Sequence, residues 1–268
     1  MAQVRRDSEN REVRRSGETT IRYTVSGPVG GSAVVLVHGW AGNRTEFDEL
    51  TGFLPEENRV IAVDLAEHGE SRSGREVWTV EEFARDVVAV LDAESVHECV
   101  VVGHSLGGAV VVEVARLRPE VVTRIVALDA LHYLFVFGAL DEEQAGGLLR
   151  PLREDFAGFV RSMVEASSPV DTDPGLKESY FAKMSSVRQP AGTKAFEGLI
   201  AWDMEAALSE VRHPITVFGV GEKIAPEAVE RLGDRMHLVP VGLGAHYFHV
   251  ELPEETGRLV ADVVQGQG

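Results

Sequence analysis

The sequence predicts an α/β protein with a mostly parallel, doubly wound sheet, and three features of the chain indicate this class. Short continuous runs of apolar residues recur along the chain, as in strands that are buried on both faces. Segments with helical spacing separate these runs, and strands that alternate with helices form right-handed crossovers. One long helical stretch interrupts the alternation. The predicted strands are Thr20–Val25, Ala33–Val37, Val60–Val63, Val100–Val102, Ile125–Leu128, Ile215–Phe218 and His237–Val239.

Four helices are predicted between and after these strands. Thr79 and Glu82 have the spacing of a capping box, and an apolar stripe at helical spacing follows them. Another helix begins after a glycine-rich turn and ends before Pro119. That helix is Leu106–Leu117, and the last two are Pro226–Leu232 and Glu254–Val264.

The stretch between Leu128 and Val211 contains no convincing strand, and its apolar residues follow a helical spacing. A helical insertion of this length between two strands predicts a lid rather than a linker. The first residues of the chain carry mixed charge and few apolar groups, so we expect a flexible lead-in. The predicted organisation is a core of residues 17–130 and 211–268, a helical lid of residues 131–210 and a lead-in of residues 1–16.

The composition predicts a globular protein with an acidic surface. The 268 residues include 26 Lys and Arg against 43 Asp and Glu, a formal net charge of −17. This charge argues against a nucleic-acid partner, which needs a basic face, and against docking on an anionic membrane. The single cysteine, Cys99, excludes an internal disulfide framework. No apolar run reaches the roughly 18 residues of a spanning helix and no secretory signal is visible, so we expect a cytoplasmic protein.

A nucleophile is predicted at Ser105. The segment Gly103-His-Ser-Leu-Gly107 follows a predicted strand and opens a predicted helix, which is the context of a Gly-x-Ser-x-Gly nucleophile elbow. Glycines two residues before and after the serine let the strand and the helix approach closely, so that the hydroxyl projects above the sheet edge. The helix N-terminus favours negative charge that develops there.

Two backbone N–H groups are expected to form an oxyanion hole beside this serine. His38-Gly39 follows the strand Ala33–Val37, and the next residue, Trp40, supplies one donor. Leu106, directly after the nucleophile, supplies the second. An oxyanion hole needs two such donors aimed at one point.

A general base is predicted in Gly242-Leu-Gly-Ala-His246-Tyr-Phe-His249, between the last predicted strand and the last helix. His246 is the predicted base, and His249 is the alternative. The two histidines also have the spacing of a metal pair. A closed zinc site needs further ligands that no Cys or His cluster supplies, so we expect no metal.

These segments, in this order, resemble the α/β-hydrolase superfamily, in its lid-bearing branch of serine hydrolases. The resemblance covers about residues 20–265 and is weakest in the predicted lid. A further match is Val63-Asp-Leu-Ala-Glu-His-Gly-Glu-Ser71, which is similar to the family's Asp-x-x-Gly-His-Gly-x-Ser turn. The resemblance implies the α/β-hydrolase fold and an esterase-like or lactonase-like activity.

The acid of the triad is the point at which the chain departs from the family pattern. Most members carry it in a Gly-x-x-Asp turn, and here Ile224 stands at the Asp position and can neither orient nor charge-stabilise an imidazole. Asp129, at the end of the preceding core strand, matches the position that the haloalkane dehalogenases use. The convergence of strand ends also favours Asp129. Glu222 and Glu227 are the alternatives, and a weak or missing acid is the remaining one.

The apolar segment Ala130–Phe137 predicts either packing between lid and core or an apolar substrate pocket. No fingerprint for haem, flavin or nicotinamide is present, so no cofactor is expected. The same apolar segment, if exposed, leaves a homodimer open. The residues predicted to bind a small-molecule substrate are His38, His104, His132 and Tyr133.

The predicted function is hydrolysis of a carboxylic ester or a lactone, with a small to medium and largely apolar substrate, through an acyl-enzyme on Ser105. The serine argues against haloalkane dehalogenase and epoxide hydrolase activity, since members with those activities use an aspartate. One alternative is hydrolysis of a C–C bond in a diketone by the same residues. Another is a non-catalytic ligand receptor, supported only by Ile224. The residues considered for holding a carboxylated diketone are Arg150, Arg153 and Arg161.

Overall fold

The computed structural model describes residues 6–15, 18–169 and 171–266. Its centre is an eight-stranded sheet whose strands are β1 (Ser8–Arg14), β2 (Thr20–Ser26), β3 (Ala33–Val37), β4 (Arg59–Val63), β5 (Cys99–His104), β6 (Val122–Leu128), β7 (Ile215–Val220) and β8 (His237–Val241). The strand order is β1-β2-β4-β3-β5-β6-β7-β8. β2 is antiparallel to both of its neighbours, and the pairs from β4 to β8 are parallel. The predicted α/β class with a mostly parallel sheet is confirmed.

Helices flank the sheet. In the described part of the chain they are α1 (Asp48–Thr51), α2 (Val80–Ala93), α3 (Leu106–Leu117), α4 (Leu134–Phe137), α5 (Glu142–Glu154), α6 (Phe156–Ser167), α7 (Pro174–Ser185), α8 (Ala191–Ile200), α9 (Met204–Glu210), α10 (Pro226–Leu232), α11 (Phe248–Glu251) and α12 (Pro253–Val264). Two short 3-10 helices, Arg44–Phe47 and Gly221–Lys223, follow the ends of β3 and β7. None of the described helices is long and apolar enough to cross a membrane.

The two faces of the sheet carry separate apolar clusters, which explains the continuous apolar runs. In β3, Val35 and Val37 pack in one cluster with residues of α2 and α3. Val34 and Leu36 pack in the other cluster with residues of α1 and α12. Because successive side chains of a strand point to opposite faces, a strand covered on both faces needs an apolar residue at every position.

The N-terminal segment differs from the prediction. Residues 8–14, which we expected to belong to a flexible lead-in, form β1 and pair with β2 over their whole length. Charged side chains hold this edge strand in place: Arg11 contacts Glu94 at 2.7 Å, and Arg15 contacts the buried Asp86 at 2.8 Å. The strand is mostly exposed, so its sequence needed no apolar run. Residues 1–5 and 16–17 lie outside the described residues.

Among the described residues, the helices α4 to α9 lie between β6 and β7, where the helical stretch was predicted, and they pack against the core. Trp40, in the loop after β3, makes edge-on ring contacts with Phe156, Phe159 and Phe196 of these helices. Its indole N–H also donates to the carbonyl of Gly192 at 2.7 Å. The helices between β6 and β7 therefore rest on the loop that was predicted to stabilise an oxyanion.

The two edges of the sheet carry different residues. β1 presents Glu9, Arg11 and Glu12 at one edge. β8 forms the other edge and contains Pro240 within the strand. Neither edge strand has a continuous apolar run, in contrast to β3 and β4 in the interior of the sheet.

Candidate active site

Ser105 lies in a sharp turn between β5 and α3, as predicted. Its φ is 50° and its ψ is −118°, a conformation that residues other than glycine rarely adopt. A Cβ on Gly103 would lie 2.1 Å from the carbonyl oxygen of Gly107. A Cβ on Gly107 would lie 2.2 Å from the carbonyl oxygen of Val37. At both positions a side chain would collide with the backbone, so glycine is required there. The sequence predicted the same close approach of strand and helix.

The predicted oxyanion donors lie on either side of the serine. Leu106 is the first residue of α3, so its N–H has no acceptor one turn earlier in the helix. Trp40 follows Gly39, at which a Cβ would lie 3.1 Å from the Cβ of Ser105. Among the described residues no hydrogen bond uses the N–H of Trp40 or of Leu106. Both N–H groups are thus free to bind an oxygen atom.

His246 pairs with Asp129. The distance from His246 Nδ1 to Asp129 Oδ2 is 2.7 Å. Because a carboxylate only accepts, Nδ1 carries the proton and Nε2 keeps a lone pair for use as a base. Glu222 lies exposed on the 3-10 turn after β7, and Glu227 is exposed in α10. The geometry thus favours Asp129 over the other two candidate acids.

Asp129 is completely buried and is held by further hydrogen bonds. The hydroxyl of Tyr133 donates to the same oxygen, Oδ2, at 2.6 Å, and the N–H of Val220 donates to Oδ1 at 2.9 Å. Burial alone would raise the pKa of Asp129, but the contacts with His246, Tyr133 and Val220 lower it below its usual range. Asp129 is therefore ionised at neutral pH and can stabilise a protonated imidazole.

A cavity of about 450 Å³ lies beside Ser105 and His246. Most of its wall is apolar and comes from the helices between β6 and β7. Its polar wall residues include Glu46, Ser167 and Lys223. The apolar wall residues include Trp40, Phe135, Val136, Phe137, Leu148, Phe159, Met163, Ala166, Met184, Phe196 and Leu199.

Two of the four predicted substrate-binding residues line this cavity, and two do not. His104 and Tyr133 are in its wall. His38 is outside it, because its ring is used by the backbone: Nε2 accepts from the N–H of Leu65 at 3.0 Å and Nδ1 contacts the carbonyl of Gly39. His132 is also outside the wall. The structure therefore places His38 and His132 outside the cavity wall and gives no support to the prediction that they contact the substrate.

His132 packs behind the triad acid instead. It is buried, and its Nδ1 lies 3.1 Å from the carbonyl oxygen of Ala130. Its Nε2 is 3.5 Å from Asp129 Oδ1. Burial lowers the pKa of His132, so its ring is neutral at pH 7. Because Nδ1 carries the proton that faces the Ala130 carbonyl, Nε2 has no hydrogen-bond partner among the described residues.

A buried polar cluster adjoins the cavity, formed by Glu46, His104 and His249. Each residue offers one atom that could bind a metal ion, and these three atoms lie within 4.8 Å of one another. His104 Nε2 is 3.0 Å from the carbonyl oxygen of His246, whereas His104 Nδ1 and both ring nitrogens of His249 have no hydrogen-bond partner. Burial lowers the pKa of both imidazoles, which are neutral at pH 7.

This cluster fits a metal ion poorly. The rings of His104 and His249 pack against each other with their centroids 4.1 Å apart and their planes tilted by 38°, whereas ligands of a tetrahedral ion approach it from separate directions. The ammonium of Lys183 is 3.5 Å from the carboxylate of Glu46, and its charge opposes a second cation. The three residues therefore form a buried polar cluster rather than a metal site.

Two roles in the site were missed from the sequence. Tyr133 was expected to face the substrate, but its hydroxyl also holds Asp129, and the four-residue separation between them was the available signal. Glu46 was not singled out at all. It lies in the 3-10 helix Arg44–Phe47, far along the chain from His104 and His249, and no local pattern links the three.

The fold described above is that of the α/β hydrolases. Residues 32–170 match the family described as "alpha/beta hydrolase fold", and the chain belongs to this family. It is similar to the uncharacterized hydrolase YugF of Bacillus subtilis (strain 168), with 31% identity over 259 residues that cover 88% of this chain and 91% of that protein.

Other matches cover a smaller part of the relative's length. The chain is 27% identical over 252 residues to the dihydrolipoyllysine-residue acetyltransferase component of the acetoin cleaving system of Pseudomonas putida, covering 90% of this chain. The chain spans 66% of the length of that relative, and 36% and 29% of two others.

A solved structure described as Est816, an N-acyl homoserine lactone degrading enzyme, superimposes with a TM-score of 0.79. The two chains are 24% identical, and the match covers 93% of this chain and 98% of that one. At this identity the likeness shows the shared fold.

Proposed function

We propose that the protein is a serine hydrolase that cleaves carboxylic esters or lactones through an acyl-enzyme. The observation that carries the proposal is the hydrogen bond of 2.7 Å between His246 and Asp129, at a cavity that Ser105 also lines. Serine becomes a strong nucleophile only when an adjacent base takes its proton and a third group orients that base. The three residues supply these roles.

The reaction follows from these roles. His246 Nε2 takes the proton of the Ser105 hydroxyl as the oxygen attacks the carbonyl carbon, and the carbonyl oxygen becomes an anion. The N–H groups of Trp40 and Leu106 bind this anion. His246 then gives the proton to the leaving alcohol, and the acyl group stays on Ser105. Water, deprotonated by His246, releases the acid and regenerates the serine.

The cavity wall supports a largely apolar substrate. Aromatic and aliphatic side chains make up most of it, and a volume of about 450 Å³ suits a small to medium molecule. Similarity to a structure described as a lactone-degrading enzyme is consistent with a lactone or an ester. The helices between β6 and β7 supply most of this wall, which fits the role of a lid.

The geometry gives less support to C–C bond hydrolysis of a carboxylated diketone. The three arginines considered for binding its carboxylate are not in the cavity wall. Arg153 pairs with Glu197 at 2.6 Å, and Arg161 pairs with Glu178 at 2.7 Å, both at the surface. Arg150 is exposed.

Labelling with a fluorophosphonate, followed by intact-mass measurement, tests the proposal without knowledge of the substrate. We expect one adduct on Ser105, no adduct in Ser105→Ala and very slow labelling in His246→Ala. Hydrolysis of short p-nitrophenyl esters should depend on the same two residues. No adduct on the folded protein, together with no ester hydrolysis above that of Ser105→Ala, would overturn the proposal in favour of a non-catalytic ligand receptor.

A further inference from the structure

Glu46 is a buried carboxylate in the wall of the substrate cavity. It lies in the 3-10 helix Arg44–Phe47, and its exposed fraction is 8%. Among the described residues that line the cavity it is the only acidic one. The triad already uses Asp129, so the proposed reaction needs no second carboxylate.

Glu46 carries a negative charge, and the described residues donate no hydrogen bond to it. Burial would raise its pKa, but the neighbouring His249 and Lys183 lower it below its usual range, so the group is an anion at neutral pH. The contacts that the protein gives the carboxylate are long, at 3.5 Å to Lys183 Nζ and 3.8 Å to His249 Nε2. No hydrogen bond of the described residues ends on its oxygen atoms.

Gly42 leaves room for this carboxylate beside the cavity. A Cβ at Gly42 would lie 2.7 Å from Glu46 Oε2 and 2.8 Å from Oε1. Any larger residue would displace the two oxygens. Gly42 itself lines the cavity, so the space beside the carboxylate is part of the substrate site.

We propose that Glu46 determines specificity by accepting a hydrogen bond from an N–H or O–H group on the substrate. The preferred esters or lactones then carry an amide or a hydroxyl group on an otherwise apolar acyl or alcohol part. The inference rests on the proposed hydrolase function and names the substrate class for that site.

The physical reason is the cost of leaving a buried carboxylate without donors. An ionised carboxylate has room for about four hydrogen bonds, and water supplies them while the cavity is empty. A bound substrate displaces that water. A substrate with a donor restores a charge-assisted hydrogen bond, whereas a purely alkyl substrate leaves the anion desolvated and is rejected.

Two matched pairs of esters test the inference. The acyl pair is p-nitrophenyl heptanoate and the p-nitrophenyl ester of N-butanoylglycine, which have acyl chains of equal length. The alcohol pair is butyl butanoate and the monobutanoate of butanediol, followed by acid release. For each pair the measured quantity is kcat/KM with the donor divided by kcat/KM without it, so a general loss of activity cancels.

In Glu46→Gln we expect this ratio to fall about tenfold or more for at least one pair, the size expected for hydrogen bonds to charged groups. Gly42→Ala, which displaces the carboxylate without removing it, should lower the ratio in the same direction. The matched control is Glu251→Gln, since Glu251 accepts from Tyr180 at 3.0 Å and does not line the cavity. Its ratio should stay unchanged.

Ratios that are the same in the unmodified protein, Glu46→Gln and Gly42→Ala for both pairs would overturn the inference. That result differs from failure of the proposed function, in which the unmodified protein hydrolyses none of the four esters faster than Ser105→Ala. Fluorophosphonate labelling of each variant shows whether its triad is intact, so a misfolded variant is recognised.

Discussion

Asp129 and Glu46 are two buried carboxylates at one site, and they differ in the donors that surround them. Asp129 accepts hydrogen bonds from His246, from Tyr133 and from a backbone N–H. Glu46 accepts none from the described residues and has only contacts of 3.5 and 3.8 Å with two nitrogen atoms. In both, burial would raise the pKa and the neighbours lower it.

The difference separates two uses of a buried charge. A carboxylate that accepts a full set of hydrogen bonds from the protein is fixed in place and acts through the group that it orients. A carboxylate whose donors are incomplete retains capacity for a ligand, because buried polar groups in proteins are nearly always satisfied. We infer that Asp129 acts through His246, whereas Glu46 acts on the substrate itself.

The largest expected effect is that of Asp129→Asn. The amide cannot hold the imidazole in the required tautomer or balance its charge, so kcat should fall about 10⁴-fold. The measurement is ester hydrolysis, with thermal unfolding as a check on folding.

Glu222→Gln is the control for this substitution. Glu222 is exposed on the turn where most relatives carry the acid, and we expect its variant to retain full activity. If Asp129→Asn were as active as the unmodified protein and Glu222→Gln were not, the assignment of the acid would be wrong.

A smaller effect is expected for Tyr133→Phe, which removes one donor from Asp129 and keeps the ring. Because the hydroxyl stabilises the carboxylate anion, its loss raises the pKa of Asp129 toward the ordinary value. The anion then also attracts the protonated imidazole more strongly. The acidic limb of kcat/KM should therefore move to higher pH, and kcat/KM at neutral pH should fall about tenfold or less.

The pH profile of kcat/KM, measured for the protein and for Tyr133→Phe, checks this expectation. Tyr180→Phe is the matched control, since Tyr180 donates to Glu251 and does not line the cavity. An acidic limb at the same pH in all three proteins would mean that the Tyr133 hydroxyl has no influence on the triad.

The smallest expected effect is that of Lys183→Met, on the pH at which substrate selection by Glu46 is lost. The pKa of Glu46 is lowered, so the anion is present above that pKa and disappears as the pH falls through it. Removal of the Lys183 charge raises the pKa. As the pH is lowered, kcat/KM for the amide ester divided by kcat/KM for the alkyl ester should then decline at a pH higher than in the unmodified protein, by about one unit or less.

Lys177→Met is the control, because Lys177 is in the same helix and pairs with Glu165 at the surface. Its ratio should decline at the same pH as in the unmodified protein. A decline at an unchanged pH in Lys183→Met would show that Lys183 does not help to keep Glu46 ionised.

The sequence predicts the interior of the sheet well and its edge poorly. Seven strands were predicted: Thr20–Val25 from its alternating pattern, and the other six from apolar runs, since a strand covered on both faces must be apolar at every position. β1 was missed, since an edge strand with a charged outer face is stabilised by its pairing with β2 and by side chains such as Arg11 and Arg15. Such contacts are tertiary and leave no local pattern.

The same division holds at the site. Ser105 and the two glycines around it form a local motif whose geometry follows from backbone sterics. Asp129 was favoured because strand ends converge. The histidines were harder to assign. A histidine at or just after the end of a strand looks the same in sequence whether its ring lines a cavity, as that of His104 does, or is used by the backbone, as that of His38 is.

The two edges of the sheet also bear on how copies of the chain can meet. An unpaired edge strand is a template for another strand, and charged side chains or a proline block such growth. β1 presents Glu9, Arg11 and Glu12, and β8 contains Pro240, which has no N–H to donate. In a crowded solution, stacking of molecules through a continuous ladder of strands is therefore disfavoured at both ends.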